Sequence, residues 1–320
     1  MHVAVGLADR RPLGRTGLTV SPVCIGTSPL ASMPNHYGYE VDQQRAEATI
    51  NAALRSPVNF LDTSNNYGAG AAERYIGSAL SAAGGLPAGF VLATKVDADA
   101  ATGDFAAERV KRSTEESLGR LGLDRVQLMY LHDPEDHLTF AEAMAPGGPV
   151  VAMLRLRDEG VFAHIGVAAG DVAMLREFTA TDAFEVVLCH NRFTLVDRSC
   201  EPLIDDAADR GVAFVNAAPY GGGILAQGPE SQPRYCYEAA SEPVAAAVSA
   251  MQRACSASGV PLAAAALQFS VRDPRVASTV IGISSPSRLD ATAELLAQEI
   301  PGELWAELDS LAVAPEHWLR

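Results

Sequence analysis

The chain has 320 residues, 24 Lys+Arg against 39 Asp+Glu for a formal net charge of −15, and 48% hydrophobic residues. That much apolar side chain offsets the entropy of ordering, which excludes a disordered or collagen-like chain. The acidic excess, with no Lys/Arg run, excludes nucleic acid and anionic membrane surfaces as partners, and no apolar stretch approaches the roughly 18 residues of a membrane span.

From the N-terminus, Val3–Ala8 is too short and too poor in preceding basic residues to serve as a secretory signal. Cys24, Cys189, Cys200, Cys236 and Cys255 form an odd, scattered set without a CxxC, as reduced thiols do, so a cytoplasmic location is expected. Next, Pro12–Leu13 and Leu18–Val20 flank Gly14-Arg15-Thr16-Gly17, whose glycines suit a tight hairpin capping the bottom of the fold.

Short apolar runs of strand length then recur at Val23–Gly26, Val58–Asp62, Phe90–Lys95, Gln127–His132, Ala163–Val167, Glu185–His190, Ala213–Ala217 and Thr279–Gly282. Helical stripes lie between them. Asp42 caps one through Ala46, Ile50, Ala53 and Leu54, stopped by Pro57, and a second through Val110, Thr114, Leu118 and Leu121 ends at Gly122. Leu203 to Ala208 makes a third, Val244 to Cys255 a fourth, and Leu262 to Val271 a fifth. Strands of nearly continuous apolar character alternating with helices predict an α/β fold, a (β/α)8 TIM barrel with an N-terminal β-hairpin cap; a doubly wound open sheet is the rival. Length alone allows about two domains, but no linker, repeat or low-complexity tract appears, so residues 1–320 are expected to form one domain. The polar, Gly/Pro-bearing stretch Gly221–Glu242 reads as a loop over a site.

In a parallel barrel, reactive side chains act from the strand C-terminal ends. Asp62, Lys95 and His132 end the second, third and fourth strands, and Tyr67 follows Asp62 in its loop. Together they make an acid/base unit: Lys95, held by Asp62, is expected to lower the tyrosine from its reference pKa of about 10, while His132 orients a substrate oxygen. The unit needs an external redox partner. Other motifs are weaker. Gly68-Ala-Gly70 lacks the third glycine of GxGxxG because Glu73 stands there, and Gly221-Gly222-Gly223 with Gly228 lacks the Lys-Ser/Thr of a phosphate loop. His132-Asp-Pro-Glu-Asp-His137 offers metal-ligand residue types, but a Pro-bearing turn scatters them and no distant His/Asp cluster completes a shell, so no metal is expected.

Asn59-Phe-Leu-Asp-Thr-Ser-Asn-Asn-Tyr-Gly68, Ala93-Thr-Lys95 and Leu131-His-Asp-Pro134 resemble the aldo-keto reductase superfamily, from Leu13 to about Ala312. The resemblance implies a (β/α)8 barrel that moves hydride between NAD or NADP and a carbonyl/alcohol pair, with Asp62, Tyr67, Lys95 and His132 as the catalytic tetrad. It implies cofactor contacts from Thr27, Asp62, His190, Asn191, Ala218, Tyr220, Gly221, Gly223, Gly282, Ser284 and Arg288, and substrate contacts from Ser28, Tyr67 and His132. The sequence departs from the family pattern in places: Ala168-Ala169 replaces a Ser-Asn pair, His190 stands for Gln, Ala217 for a stacking Tyr, and Thr292 for Asn.

His190–Arg198 and Asn216–Leu225 most resemble a bacterial branch containing L-fucose and D-threo-aldose 1-dehydrogenases and pyridoxal 4-dehydrogenase. The implied reaction oxidises an aldose hemiacetal of the L-fucose, L-galactose or D-arabinose type, or pyridoxal, to its lactone. A general NADPH-dependent aldehyde reductase and a nicotinamide-binding regulatory barrel are the alternatives. Ser28, where many relatives carry a bulky aromatic, suggests a small polar pocket. The expected partner is a small-molecule sugar or aldehyde, and the expected assembly a monomer or weak homo-oligomer.

Overall fold

The computed structural model describes residues 5–319 except residue 237. Residues 1–4 and 320 of the expected 1–320 domain, and with them the start of Val3–Ala8, lie outside the described residues. Eight parallel strands close into one barrel: β1 (Val23–Gly26), β2 (Phe60–Asp62), β3 (Val91–Val96), β4 (Val126–His132), β5 (Phe162–Ala169), β6 (Val186–His190), β7 (Ala213–Ala217) and β8 (Val276–Gly282). Closure decides against the open sheet, since β8 pairs with β7 on one side and with β1 on the other, through Thr279↔Val23 and Ile281↔Ile25.

A helix follows each strand: α1 (Gln43–Arg55), α2 (Ala71–Ala83), α3 (Ala107–Leu121), α4 (Pro149–Asp158), α5 (Val172–Thr179), α6 (Glu201–Asp209), α7 (Leu262–Val271) and α8 (Pro286–Ala297). Local chemistry sets their ends. The Asp42 carboxylate accepts the Arg45 N–H at 2.8 Å to start α1, a cap worth about 1 kcal/mol. Gly122, at φ 66°, closes α3 by donating its N–H to the Leu118 carbonyl. Helices Glu242–Ala257 and Gly302–Ser310 are additions to the eightfold pattern. No single helix among the described residues is long and apolar enough to cross a membrane.

The stretch read as a loop, Gly221–Glu242, is instead folded. It holds a turn at Gly221–Gly223, a short helix at Ile224–Gln227 and a two-stranded hairpin pairing Arg234–Tyr235 with Glu238–Ala239. Its polar composition hid an anchor. Tyr235 is buried, and its hydroxyl lies 3.1 Å from Thr194 Oγ1 and donates to the Asn191 carbonyl at 3.3 Å.

Strand alternation sorts the core into two layers. Phe60, Val91, Ala93, Leu128, Tyr130, Val186, Leu188 and Val215 fill the barrel interior, while Leu61, Leu92, Met129, Leu131, Val187 and Phe214 pack outward on the helices. The N-terminal hairpin, Arg11–Pro12 against Thr19–Val20, plugs the bottom with Leu13 and Val20, both fully buried in the interior cluster. Gly14 allows this approach: at φ +56°, a Cβ there would sit 2.6 Å from the Ala213 nitrogen and 2.8 Å from the Gly211 oxygen. Gly14→Ala should therefore destabilise the protein by about 1–3 kcal/mol; urea unfolding checks this, and a loss within about 0.5 kcal/mol would contradict the plug.

Candidate active site

The alternation that fills the interior also builds the site. The next inward-facing residues above Phe60, Ala93 and Tyr130 are Asp62, Lys95 and His132, so three adjacent strands deliver their reactive groups to one mouth. Lys95 is 1% exposed. Its Nζ donates to Asp62 Oδ1 at 2.6 Å, to the Thr63 carbonyl at 2.7 Å and to Tyr67 Oη at 3.1 Å, which uses all three ammonium donors. Burial pushes the Asp62 carboxyl above its ordinary range although Lys95 and His132 pull it down.

Tyr67 depends on α3. In its loop, Asn65 donates through Nδ2 to the Ser113 carbonyl at 3.0 Å and accepts from Arg109 Nη2 at 3.1 Å, while Arg120 Nη1 donates to the Asn65 carbonyl at 2.9 Å. Arg120 also meets the fully buried Glu73 at 3.0 Å, which accepts from Thr94 Oγ1 on β3 at 2.6 Å. The tyrosine is thus placed by a clamp linking α2, α3 and β3. Its acidity is the reverse of the sequence expectation. Burial first, then Asp62, Tyr37, Asp133 and Asp97, push the phenol well above its ordinary value.

His132 has a partner the sequence reading missed. Its Nδ1 lies 2.6 Å from Asp97 Oδ1 and 3.1 Å from Ser64 Oγ, and the Ser64 hydroxyl donates to Asp97 Oδ2 at 2.5 Å. The signal was present: Asp97 stands two residues beyond Lys95, and two is the period that keeps side chains on one face of a strand. Burial opposes the imidazolium, but Asp133 and Asp97 on either side outweigh it and raise the His132 pKa above its ordinary value. Tyr67 and His132 meet edge-on, with ring centroids 5.8 Å apart.

The turn expected to scatter its residues does not. Asp133, at φ 41°, folds back so that Oδ2 lies 3.5 Å from His132 Nε2 and Oδ1 lies 3.4 Å from His190 Nε2. Asp133, Glu135 and His190 come within 4.8 Å of one another, so a distant histidine does join this segment. Glu135 is engaged by backbone, accepting the Gly170 and Asp171 N–H groups at 2.6 and 3.0 Å. Despite burial, His132 and His190 hold the Asp133 carboxyl well below the ordinary range.

These groups open onto a cleft of about 830 Å³. All four tetrad residues line it, and so do Ser28, His190, Asn191, Ala218, Tyr220, Gly223, Gly282 and Arg288. Thr27, Gly221 and Ser284, expected to touch a cofactor, are buried outside that lining. Thr27 instead donates through Oγ1 to the Asp62 carbonyl at 3.0 Å and steadies the β2 end. Ser28 does not leave a simply small pocket either: its Oγ accepts from the Tyr37 hydroxyl at 2.8 Å, and Met33, His36, Tyr37 and Tyr39 bring bulk to that wall. The segment supplying them gives no strand or barrel-helix pattern, so position alone could not place it.

Two buried acceptors on the cleft wall, Asp62 Oδ2 and Asn191 Oδ1, have no hydrogen-bond partner. Such atoms are costly unless a ligand satisfies them. They are suited to the N–H groups of a carboxamide.

Residues 22–313 match the Aldo/keto reductase family. The chain belongs to that family, and it is a nicotinamide-dependent oxidoreductase. It is 29% identical to pyridoxal 4-dehydrogenase of Microbacterium luteolum, covering 97% of this chain and 98% of the relative. It is 30% identical to L-galactose dehydrogenase of Arabidopsis thaliana (95% and 94% covered) and 30% identical to D-threo-aldose 1-dehydrogenase of a Pseudomonas species (86% and 90% covered). A holo-form aldo-keto reductase from Bacillus halodurans shares the fold at a TM-score of 0.77 and 23% identity, over 95% of this chain and 96% of that one.

The buried ion pair at the centre makes a stability prediction. Lys95→Met strands the Asp62 carboxylate and should cost about 3–5 kcal/mol, and adding Asp62→Asn should restore part of it. Urea unfolding of both variants checks this; a single-variant loss below about 1 kcal/mol would contradict the pair's role.

Proposed function

We propose that this cleft oxidises the hydroxyl of a hemiacetal carbon, on a small aldose or on pyridoxal, to a lactone, with NAD or NADP as acceptor. The observation that carries the reading is the convergence of two backed polar groups beside two unpaired acceptors. Tyr67, backed by Lys95, and His132, backed by Asp97, line the cleft together, and Asp62 and Asn191, each with a buried oxygen that lacks a hydrogen-bond partner, line the same cleft.

The nicotinamide cofactor supplies a hydride acceptor when bound, and a donor in reverse. Asp62, His190 and Asn191 would hold its carboxamide, and Gly282, Arg288 and Thr292 would line its other end. Tyr67 Oη and His132 Nε2 hold the reacting oxygen by hydrogen bonds, while Lys95 and the His132 charge stabilise negative charge developing on it.

Two features support the substrate class. A side pocket of about 190 Å³ opens at His132, lined by Asn66, Asp97, Asp99, Asp133, Asp136 and His137. Carboxylates accept hydrogen bonds from sugar hydroxyls and repel anions. Tyr37 and Tyr39, with ring centroids 5.9 Å apart, also line the main cleft and offer apolar faces to a sugar or a pyridine ring. The chain's likeness to dehydrogenases of L-galactose, D-threo-aldoses and pyridoxal points the same way.

Initial rates of NAD and NADP reduction against L-fucose, L-galactose, D-arabinose and pyridoxal test the reading. Turnover is expected with at least one of these, and Tyr67→Phe should lower kcat at least about 100-fold with cofactor Kd kept within about twofold. Silence toward all four, with rapid NADPH oxidation by simple aldehydes, would replace the reading with a general reductase. A Tyr67→Phe rate above about a tenth of the parent would remove Tyr67 from the chemistry.

A further inference from the structure

We propose that Tyr235, which lies outside the cleft lining, is a positioning residue that sets how tightly the nicotinamide cofactor binds. Its hydroxyl and its ring tie the loop after β6 to the loop after β7, so that both loops present their cleft-lining groups together. The inference rests on the reading above, that the cofactor carboxamide sits against His190 and Asn191.

The hydroxyl has a fixed polarity. Thr194 Oγ1 already accepts the Val196 and Asp197 N–H groups at 3.3 and 3.1 Å, so its own proton points to Tyr235 Oη, 3.1 Å away. Tyr235 Oη in turn donates to the Asn191 carbonyl at 3.3 Å. Asn191 needs that anchor. It stands at φ 64°, a left-handed conformation that residues other than glycine keep only when their surroundings hold them. Its N–H is held from the other side, donating to the Ala217 carbonyl at the end of β7 at 3.1 Å. With both backbone groups fixed, the Asn191 side chain lies on the cleft lining beside His190, Nδ2 3.2 Å from Nδ1 of that ring.

The ring holds the second loop. It packs on Gly221, at φ +56°, where a Cβ would stand 2.6 Å from Tyr235 Cδ2. The neighbouring Cys236 donates its N–H to the Gly221 carbonyl at 3.1 Å. Gly221 opens the turn whose next two residues, Gly222 and Gly223, line the cleft. One buried side chain thus bears on both the His190–Asn191 wall and the Gly222–Gly223 wall.

Tyr235→Phe keeps the ring on Gly221 and removes the hydroxyl. The Asn191 carbonyl loses its donor, the residue relaxes out of the left-handed conformation, and the side chains of Asn191 and His190 turn from the carboxamide. Lys95, Tyr67 and His132 keep every contact they have. Cofactor affinity should fall, and the chemical step should not.

Isothermal titration calorimetry with NAD and with NADP tests this, beside steady-state rates with the cofactor that is turned over. Tyr235→Phe should raise the cofactor Kd at least about fivefold, the size of one lost hydrogen bond. Its kcat at saturating cofactor should stay within about twofold. Asn191→Gly adopts the left-handed conformation without strain but lacks the side chain, so it should weaken binding by itself. On that background Tyr235→Phe should add less than about twofold.

A Tyr235→Phe Kd within about twofold of the parent, even with a lower urea midpoint, would make the residue structural only and overturn the inference. Single effects that multiply in the double variant would overturn it too. Asn191→Gly binding with the parent's Kd would instead remove the reading on which the inference rests. If Tyr235→Phe does not fold, amide hydrogen exchange of the unaltered protein decides: saturating cofactor should slow both the Asn191 and the Cys236 amide, and protection of Asn191 alone overturns the link.

Discussion

An ammonium buried at the mouth of a barrel must find oxygen for each of its donors, and Lys95 finds it in Asp62, Thr63 and Tyr67. Most of the site follows from that requirement. Asp62 has to end β2 facing inward, one strand from Lys95, and the loop after it has to turn so that the Thr63 carbonyl and the Tyr67 hydroxyl both reach the same nitrogen. The cost of desolvating the pair is repaid only when this geometry is complete. The clamp from Arg109, Ser113 and Arg120 on Asn65 keeps it so. The remaining oxygen of Asp62 is buried without a hydrogen-bond partner.

The sign of the field at this mouth is the second consequence. Burial, helped by Asp62, Asp133 and Asp97, lifts the Tyr67 phenol, and Asp133 and Asp97 lift the His132 imidazole against its burial.

What the sequence made legible was periodic. The eight strands followed from apolar runs, and their closure agrees with alternating helices; within them, period-two alternation explains why Asp62, Lys95 and His132 share one face. What stayed hidden depends on backbone turns and long-range partners. Asp97 was passed over because the strand was ended at Lys95, although β3 runs on to Val96. The return of Asp133 toward His190 needs a positive φ at a residue other than glycine, which composition does not announce. Gly221–Glu242 looked like an open loop because its buried anchors, Ile224, Leu225 and Tyr235, are too few and too far apart to form an apolar stripe. Thr27 and Ser284, named by likeness to the family, are buried, and burial of a polar side chain is not something a motif announces.

The central claim is that carbon and nicotinamide exchange hydride directly across this cleft, with the oxygen held by Tyr67 and His132. The most direct measurement follows the label: an aldose carrying deuterium at its hemiacetal carbon is oxidised, and the reduced cofactor is examined by NMR. The account predicts deuterium at nicotinamide C4, on one face of the ring. Deuterium released to water, or a reduced cofactor without label, would contradict it.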